Sequence, residues 1–234
     1  MSNKASARKD TAAAHEHSVD EIAEKISVAI LEHRLAPGTK VGEDRVAAIF
    51  ANSRAKVREV LMRLAHEQIV ELVPQRGAFV AKPTIEQAQD VFEARRLIEP
   101  GVLHRLIATL DDVKQQRLPR HLELEADARA REDKRAIVRL SGEFHVLLAE
   151  LAGNSALTRT MRELSALTCL IISLYDAPTA TSCRADEHEE IVAAVKRGDG
   201  KRAESLMLQH LDHIAQRLKL DSDLEDADLE SIFA

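Results

Sequence analysis

The order of hydrophobic and polar positions divides the chain of 234 residues into two parts. In the first part, apolar side chains recur at helical spacing in three segments, at about 18–35, 43–50 and 53–66. Two short β-branched and aromatic runs, "IVELV" and "AFVA", then flank the turn-forming "PQRG". After "AKPT" every pattern is helical, at about 85–108, 111–130, 133–152, 154–175, 184–197 and 200–219.

Three helices followed by a β-hairpin are typical of a winged helix-turn-helix. The sequence therefore predicts a mainly α protein with an N-terminal winged helix-turn-helix and a C-terminal all-α helical bundle. We place the winged helix-turn-helix at 18–82 and the bundle at 85–219. Polar residues at both ends predict a flexible arm at 1–17 and an acidic tail at 220–234.

Charge is distributed unevenly between the two parts. Residues 1–82 contain thirteen Lys and Arg against eleven Asp and Glu, whereas residues 83–234 contain twenty against twenty-eight. No apolar run reaches the roughly 20 residues that cross a bilayer. The two cysteines, Cys169 and Cys183, have no metal-binding spacing and are expected to be reduced thiols. We therefore expect a cytoplasmic protein without membrane association, in which the two parts have separate roles.

The third predicted helix has two distinct faces. Val57, Leu61 and Leu64 form its apolar stripe, and Arg54 and Arg58, four residues apart, share another face. An arginine side chain in the major groove can donate two hydrogen bonds to guanine. Arginines on a solvated helix are also common, but the preceding turn and the following hairpin favour binding to double-stranded DNA.

Four further residues are candidates for contacts to the DNA backbone. Ser53 and Lys56 lie at the start of the third helix, where the positive helix end favours phosphate. Arg76 lies at the tip of the predicted wing, where it could contact the backbone or the minor groove, and Gly77 allows that turn to approach DNA closely.

Three histidines of the predicted bundle lie on or beside apolar stripes: His145, His188 and His210. An imidazole in a helical core needs partners for its ring nitrogens. Hydrogen bonds within the core would meet that need, and so would a divalent metal bound by all three rings. Both interpretations are open at this point.

The segment "LAPGTKVGEDRVAAIFANSRAKVREVLMRLAHEQIVELVPQRGAFVA" resembles the winged-helix domain of GntR-family transcription regulators. The matching features are the Pro-Gly after the first helix, the "SRAKVREVL" of the third helix and the "PQRG" wing. The resemblance implies a transcription regulator that binds DNA. Asp44 stands where the family often has a basic residue, so that either Arg45 replaces this contact or the operator differs, and Lys56 stands where proline is frequent.

The second part resembles the FCD effector domain of the FadR subgroup of that family, in "FEARRLIEP", "SGEFHVLLAELAGN" and "EHEEIVAAVKRGDGKRAESLMLQH". In that subgroup one Asp and three His bind a divalent metal. The resemblance thus implies His145, His188 and His210 as ligands of Zn²⁺ or Ni²⁺. Ser141 occupies the Asp position, which removes one anionic ligand from the site.

The same residues indicate the chemical class of the effector. Imidazoles or a metal, together with Arg95, favour a small carboxylate, and Ser141 would lie beside it. Arg95 could instead form an i,i+4 ion pair with Glu99. Asn154 is expected to be a helix N-cap.

The sequence thus predicts a ligand-responsive transcription regulator, a repressor by default, that binds a palindromic operator as a homodimer. Two alternatives remain. A three-histidine metal site could support a hydrolase, although the chain has no HExxH, GxSxG or P-loop pattern. The bundle could also hold a larger ligand of the acyl-coenzyme A type without a metal.

Overall fold

The computed structural model describes residues 17–175 and 186–218 and confirms the mainly α fold class. The predicted arm, except His17, and the predicted acidic tail lie outside these residues, as does Cys183. The elements are, in chain order, α1 (Val19–Leu31), β1 (Lys40–Val41), α2 (Glu43–Ile49), α3 (Arg54–His66), β2 (Val70–Val73), β3 (Gly77–Val80), α4 (Ile85–Ala108), α5 (Asp112–Ala130), α6 (Lys134–Leu151), α7 (Ser155–Tyr175), α8 (Glu187–Lys196) and α9 (Gly200–Arg217).

Elements α1 to β3 form the winged helix-turn-helix, which we call the head. Its strands form an antiparallel sheet in the order β1-β3-β2. Strand β1 was not predicted from the sequence, because two residues are too few to show an alternating pattern. The predicted first helix also extended four residues too far, to Leu35. The helix ends at Leu31 and the chain turns at His33, which has a φ of 55° in the left-handed region.

Helices α4 to α9 form the bundle, and each begins and ends within three residues of its predicted bounds. Its core is built from apolar side chains of all six helices. Asn154 caps α7 as predicted, because its side-chain oxygen accepts hydrogen bonds from the backbone N–H groups of Ala156 and Leu157. Across the described residues, every helix is too short or too polar to cross a lipid bilayer.

The head and the bundle meet along α1, α6 and α7, a contact region that we call the joint. Leu170 of α7 is fully buried in the hydrophobic core of the head. The His33 ring nitrogen Nε2 lies 3.0 Å from the carbonyl oxygen of Cys169, and Arg139 of α6 binds Glu32 at 3.0 Å. A cavity of about 440 Å³ lies at the joint, between α1, α6 and α7.

Candidate DNA-binding surface and metal centre

The apolar stripe of α3 is buried in the head, as the sequence predicts. Arg54 and Arg58 project outside this stripe, with side chains that are 69% and 62% exposed. Two exposed guanidinium groups therefore share the free face of the third helix. This arrangement allows both side chains to enter a major groove while the buried face of α3 stays packed.

Both arginines are paired with the first turn of α2. Arg58 forms two hydrogen bonds to the carboxylate of Glu43, at 3.1 and 2.9 Å, and Arg54 pairs with Asp44. Exposed ion pairs contribute at most about 1 kcal/mol, so DNA can compete for either guanidinium. Arg45, the candidate substitute for the missing basic residue, is exposed on the same helix. The surface thus carries carboxylates among its basic groups.

The start of α3 is organised by its cap. The Ser53 hydroxyl oxygen accepts a hydrogen bond from the Lys56 backbone N–H at 3.2 Å, which fixes the first turn. The Lys56 ammonium lies 3.4 Å from the carbonyl oxygen of His17, at the start of the described chain. Lys56 is consequently half-buried, whereas Ser53 is exposed.

The wing presents Arg76 at its tip. This side chain is exposed, and its guanidinium lies over the Phe79 ring, 5.5 Å from the ring centroid. Gly77 has a φ of +100°, a left-handed conformation that residues with a side chain rarely adopt. The wing geometry therefore depends on Gly77, and Arg76 is exposed at the tip of the wing.

In the bundle, α6, α8 and α9 bring together the three predicted histidines, His145, His188 and His210, all buried. Their Nε2 atoms face one another, at 3.4 Å between His188 and His210 and at 3.3 Å between His210 and His145. Candidate ligand atoms of the three rings lie within 4.8 Å of one another. Sequence spacing alone could not show this convergence, because the residues lie on three separate helices.

Each of the three rings contacts one glutamate through its Nδ1 atom. Nδ1 of His145 lies 2.6 Å from Glu99, Nδ1 of His188 lies 2.9 Å from both oxygens of Glu125, and Nδ1 of His210 lies 2.7 Å from Glu187. We call Glu99, Glu125 and Glu187 the carboxylate ring. From the sequence, Glu99 was predicted only as a partner of Arg95, and Glu125 and Glu187 were not predicted. Their signal was local: Glu125 follows His121 by one helical turn, and Glu187 precedes His188.

The pKa values of the carboxylate ring keep it ionised at neutral pH. Burial raises the pKa of each group, but neighbouring groups outweigh this effect and bring each pKa to about 2. The neighbours that lower the pKa are Arg95 and His145 for Glu99, His121 and His188 for Glu125, and His210 and His213 for Glu187. Burial lowers the pKa of His145 to about 3, so that its ring is neutral at pH 7.

These protonation states suit a divalent metal. An ionised carboxylate only accepts hydrogen bonds, so the Nδ1 atom that faces it carries the ring proton. A neutral ring with a proton on Nδ1 presents a lone pair on Nε2. The Nε2 atom of His210 lies 3.4 Å from that of His188 and 3.3 Å from that of His145, so a cation among the three rings could accept a lone pair from each of them. The imidazole set therefore fits Zn²⁺ or Ni²⁺, which would be held through Nε2 and would polarise an oxygen ligand.

Arg95 and Ser141, the predicted effector residues, lie beside this centre. The ion pair with Glu99 is present, because Arg95 Nε donates to Glu99 at 2.6 Å, and Nη1 donates to Thr168 at 3.1 Å. Nη2 is buried and has no hydrogen-bond partner among the described residues. Arg95 therefore fulfils the alternative prediction and still has one unused donor. Ser141 is half-buried, one helical turn before His145 on α6.

Comparisons with known proteins agree with both parts of the structure. The family model for bacterial regulatory proteins of the gntR family matches residues 18–80, and that for the FCD domain matches residues 90–213. The HTH-type transcriptional repressor RspR of Escherichia coli K12 is 27% identical over 186 residues, covering 79% of this chain and 82% of RspR. An HTH-type regulator from Streptomyces ambofaciens is 31% identical over 198 residues, covering 80% of this chain and 79% of that protein.

Among solved structures, a GntR transcriptional regulator from Rhodococcus sp. RHA1 has a TM-score of 0.74 at 26% identity. The match covers 85% of this chain and 96% of that chain. It includes the winged head and the helical bundle together. The chain therefore belongs to the GntR family of bacterial regulatory proteins, and it is a DNA-binding transcriptional regulator that carries an FCD domain.

Proposed function

We propose that this regulator is a metal-containing sensor of a small carboxylate and that it represses transcription until the carboxylate binds. The observation that carries the proposal is the unused Nη2 donor of Arg95 beside the three-imidazole centre. A buried donor without a partner costs free energy, and an anionic ligand would remove that cost. Glu99 links Arg95 to His145, so a carboxylate could reach both the guanidinium and the metal.

The joint gives such a ligand a route to the DNA-binding surface. Thr168, the Arg95 partner, is next to Cys169, which lines the cavity of about 440 Å³ and whose carbonyl contacts His33 of the head. Cavities of roughly this size hold small molecules. A ligand that binds the Arg95 guanidinium would change the contacts of α7 and thereby the placement of the head.

For the DNA-binding half, we propose that Arg54 and Arg58 contact bases, and that Ser53, Lys56, Arg45, Arg76 and Gly77 form backbone contacts. A single head reads a short half-site, so a homodimer on a palindromic operator doubles the contacts. Repression is supported by RspR, whose name describes a repressor. A cytoplasmic location goes with this role, because the operator DNA lies there.

The proposal is tested by titrating labelled DNA fragments from upstream of the gene and measuring fluorescence anisotropy at several salt concentrations. We expect salt-sensitive binding that weakens when a small carboxylate and Zn²⁺ are added together. The Arg58→Ala variant should lose about 1–3 kcal/mol of operator binding. Arg117→Ala, which removes a bundle arginine paired with Glu150, is the matched control and should bind normally.

Arg95→Lys tests the effector half, because lysine keeps the positive charge beside Glu99 but lacks the planar fork. This variant should bind the operator and fail to respond to the carboxylate. If no fragment binds in a salt-sensitive manner, the DNA-binding assignment is wrong. If DNA binds but no carboxylate changes its affinity, the effector assignment is wrong. Zinc-dependent turnover of a carboxylate would instead favour the hydrolase alternative.

A further inference from the structure

Each member of the carboxylate ring contacts a second basic group in addition to its imidazole. Glu99 pairs with Arg95, Glu125 with His121 at 3.3 Å, and Glu187 with His213 at 2.5 Å. The three imidazoles therefore lie at the centre of three side-chain networks. Each network runs from a central imidazole through a carboxylate to an outer basic side chain, and its central end is an Nε2 atom that faces the other two.

This arrangement concentrates carboxylates in the bundle. Two arginines pair with the carboxylate ring: Arg95 with Glu99 at 2.6 Å, and the half-buried Arg129 with Glu125 at 3.9 Å. Buried charge is costly unless opposite charge accompanies it, and a divalent cation among the three Nε2 atoms would supply that charge.

We propose that Glu99, Glu125 and Glu187 are the positioning residues of this metal site: they hold the three imidazoles in the Nδ1–H form and supply the negative charge that a divalent cation neutralises. The inference rests on the proposed metal site and adds an account of how three histidines suffice where Ser141 provides no carboxylate. A carboxylate that accepts from Nδ1 also makes Nε2 a stronger donor to a metal. Water or an anionic effector is then free to complete the coordination.

The test is Zn²⁺ affinity, measured by competition with a chromophoric chelator, in Glu99→Gln, Glu125→Gln and Glu187→Gln. The glutamine oxygen can still accept a hydrogen bond from Nδ1, so these variants remove charge while conserving shape. We expect each to bind Zn²⁺ about 10–100-fold more weakly than the wild type. Glu143→Gln is the matched control, because Glu143 lies on α6 but pairs with Arg139. Its Zn²⁺ affinity should equal that of the wild type.

A second measurement does not depend on the variants folding. Long-range ¹H–¹⁵N NMR spectra of the metal-free wild type should show His145, His188 and His210 with the proton on Nδ1. Zn²⁺ should then shift their Nε2 resonances and leave Nδ1 protonated. Protons on Nε2 in the metal-free protein would overturn the inference.

The outcomes separate this inference from the proposed function. If the wild type takes up Zn²⁺ and all three glutamine variants bind it with unchanged affinity, the carboxylate ring does not position the ligands. The metal site itself would then still be supported. A wild-type protein that takes up no Zn²⁺ would remove the metal site and the ring's role together. The anisotropy experiment with DNA would still test the regulator independently.

Discussion

At the scale of single residues, the DNA-binding surface differs from a simple basic patch in having Asp44 next to Arg54. The carboxylate pairs with the guanidinium that we assign to base contacts, and 68% of the Asp44 side chain is exposed. A negative charge at this position repels DNA phosphates wherever the protein docks. Arg54 can leave its partner at low cost, so a correct base contact can replace the ion pair. We therefore expect Asp44 to favour specific over non-specific binding.

We predict that Asp44→Asn raises affinity for non-specific DNA on the order of fivefold, which corresponds to the loss of one unfavourable surface charge contact of about 1 kcal/mol. Affinity for the operator should change less, so the specificity ratio falls. Anisotropy titrations of operator and scrambled DNA at matched salt measure both values. Glu67→Gln, at the far end of α3, removes a comparable charge and should change neither. Weaker binding of Asp44→Asn to both DNAs would mean that Asp44 assists contact.

At the scale of secondary structure elements, α7 connects the candidate effector site to the head. Within three consecutive residues it supplies Thr168 to Arg95, the Cys169 carbonyl to His33, and the Leu170 side chain to the hydrophobic core of the head. Neighbouring residues of one helix cannot move independently, because the backbone hydrogen bonds fix their relative positions. A shift of α7 at Arg95 therefore displaces part of the head core.

We predict that Leu170→Ala separates the unfolding of the head from that of the bundle. Removing a fully buried leucine costs about 2–5 kcal/mol, and here the cavity opens in the head core on the side of the joint. Scanning calorimetry should show one transition for the wild type and two for the variant, with the head melting first. Leu118→Ala removes an equally buried leucine within the bundle, and it should lower the temperature of a single unfolding transition. One transition in Leu170→Ala would argue against the joint as a coupling element.

The same elements show what the sequence could and could not predict. Helical periodicity located the bundle helices to within three residues, because each buries side chains at helical spacing, although the buried positions of α5 include His121 and Glu125. The stripe of α3 likewise assigned Arg54 and Arg58 to the exposed face. The partners of the histidines could not be derived, because Glu99 and Glu125 come from α4 and α5, and hydrophobic patterns do not encode which helices are neighbours. The joint was missed for the same reason: Leu170 looks like an ordinary core residue of its own bundle.

At the scale of the whole molecule, the joint restricts the placement of the head relative to the bundle. The head is attached by the buried Leu170, by the His33 contact with the Cys169 carbonyl and by the Arg139 ion pair with Glu32, in addition to the chain connection through 81–84. These contacts lie on both α6 and α7, so the head cannot rotate freely about the linker. In the proposed homodimer, two heads would therefore have a fixed spacing and orientation. An operator must then match that spacing as well as the base sequence.

We predict that five base pairs inserted between the operator half-sites weaken binding by about 100-fold or more, because one half-site rotates by about half a turn and the second head loses its contacts. The operator is first located by footprinting, and anisotropy then compares the original and lengthened sites. Leu170→Ala is the informative variant, since a loosened joint should tolerate the insertion better than the wild type does. Equal affinity of the wild type for both sites would show that the heads bind independently and that the joint is flexible in solution.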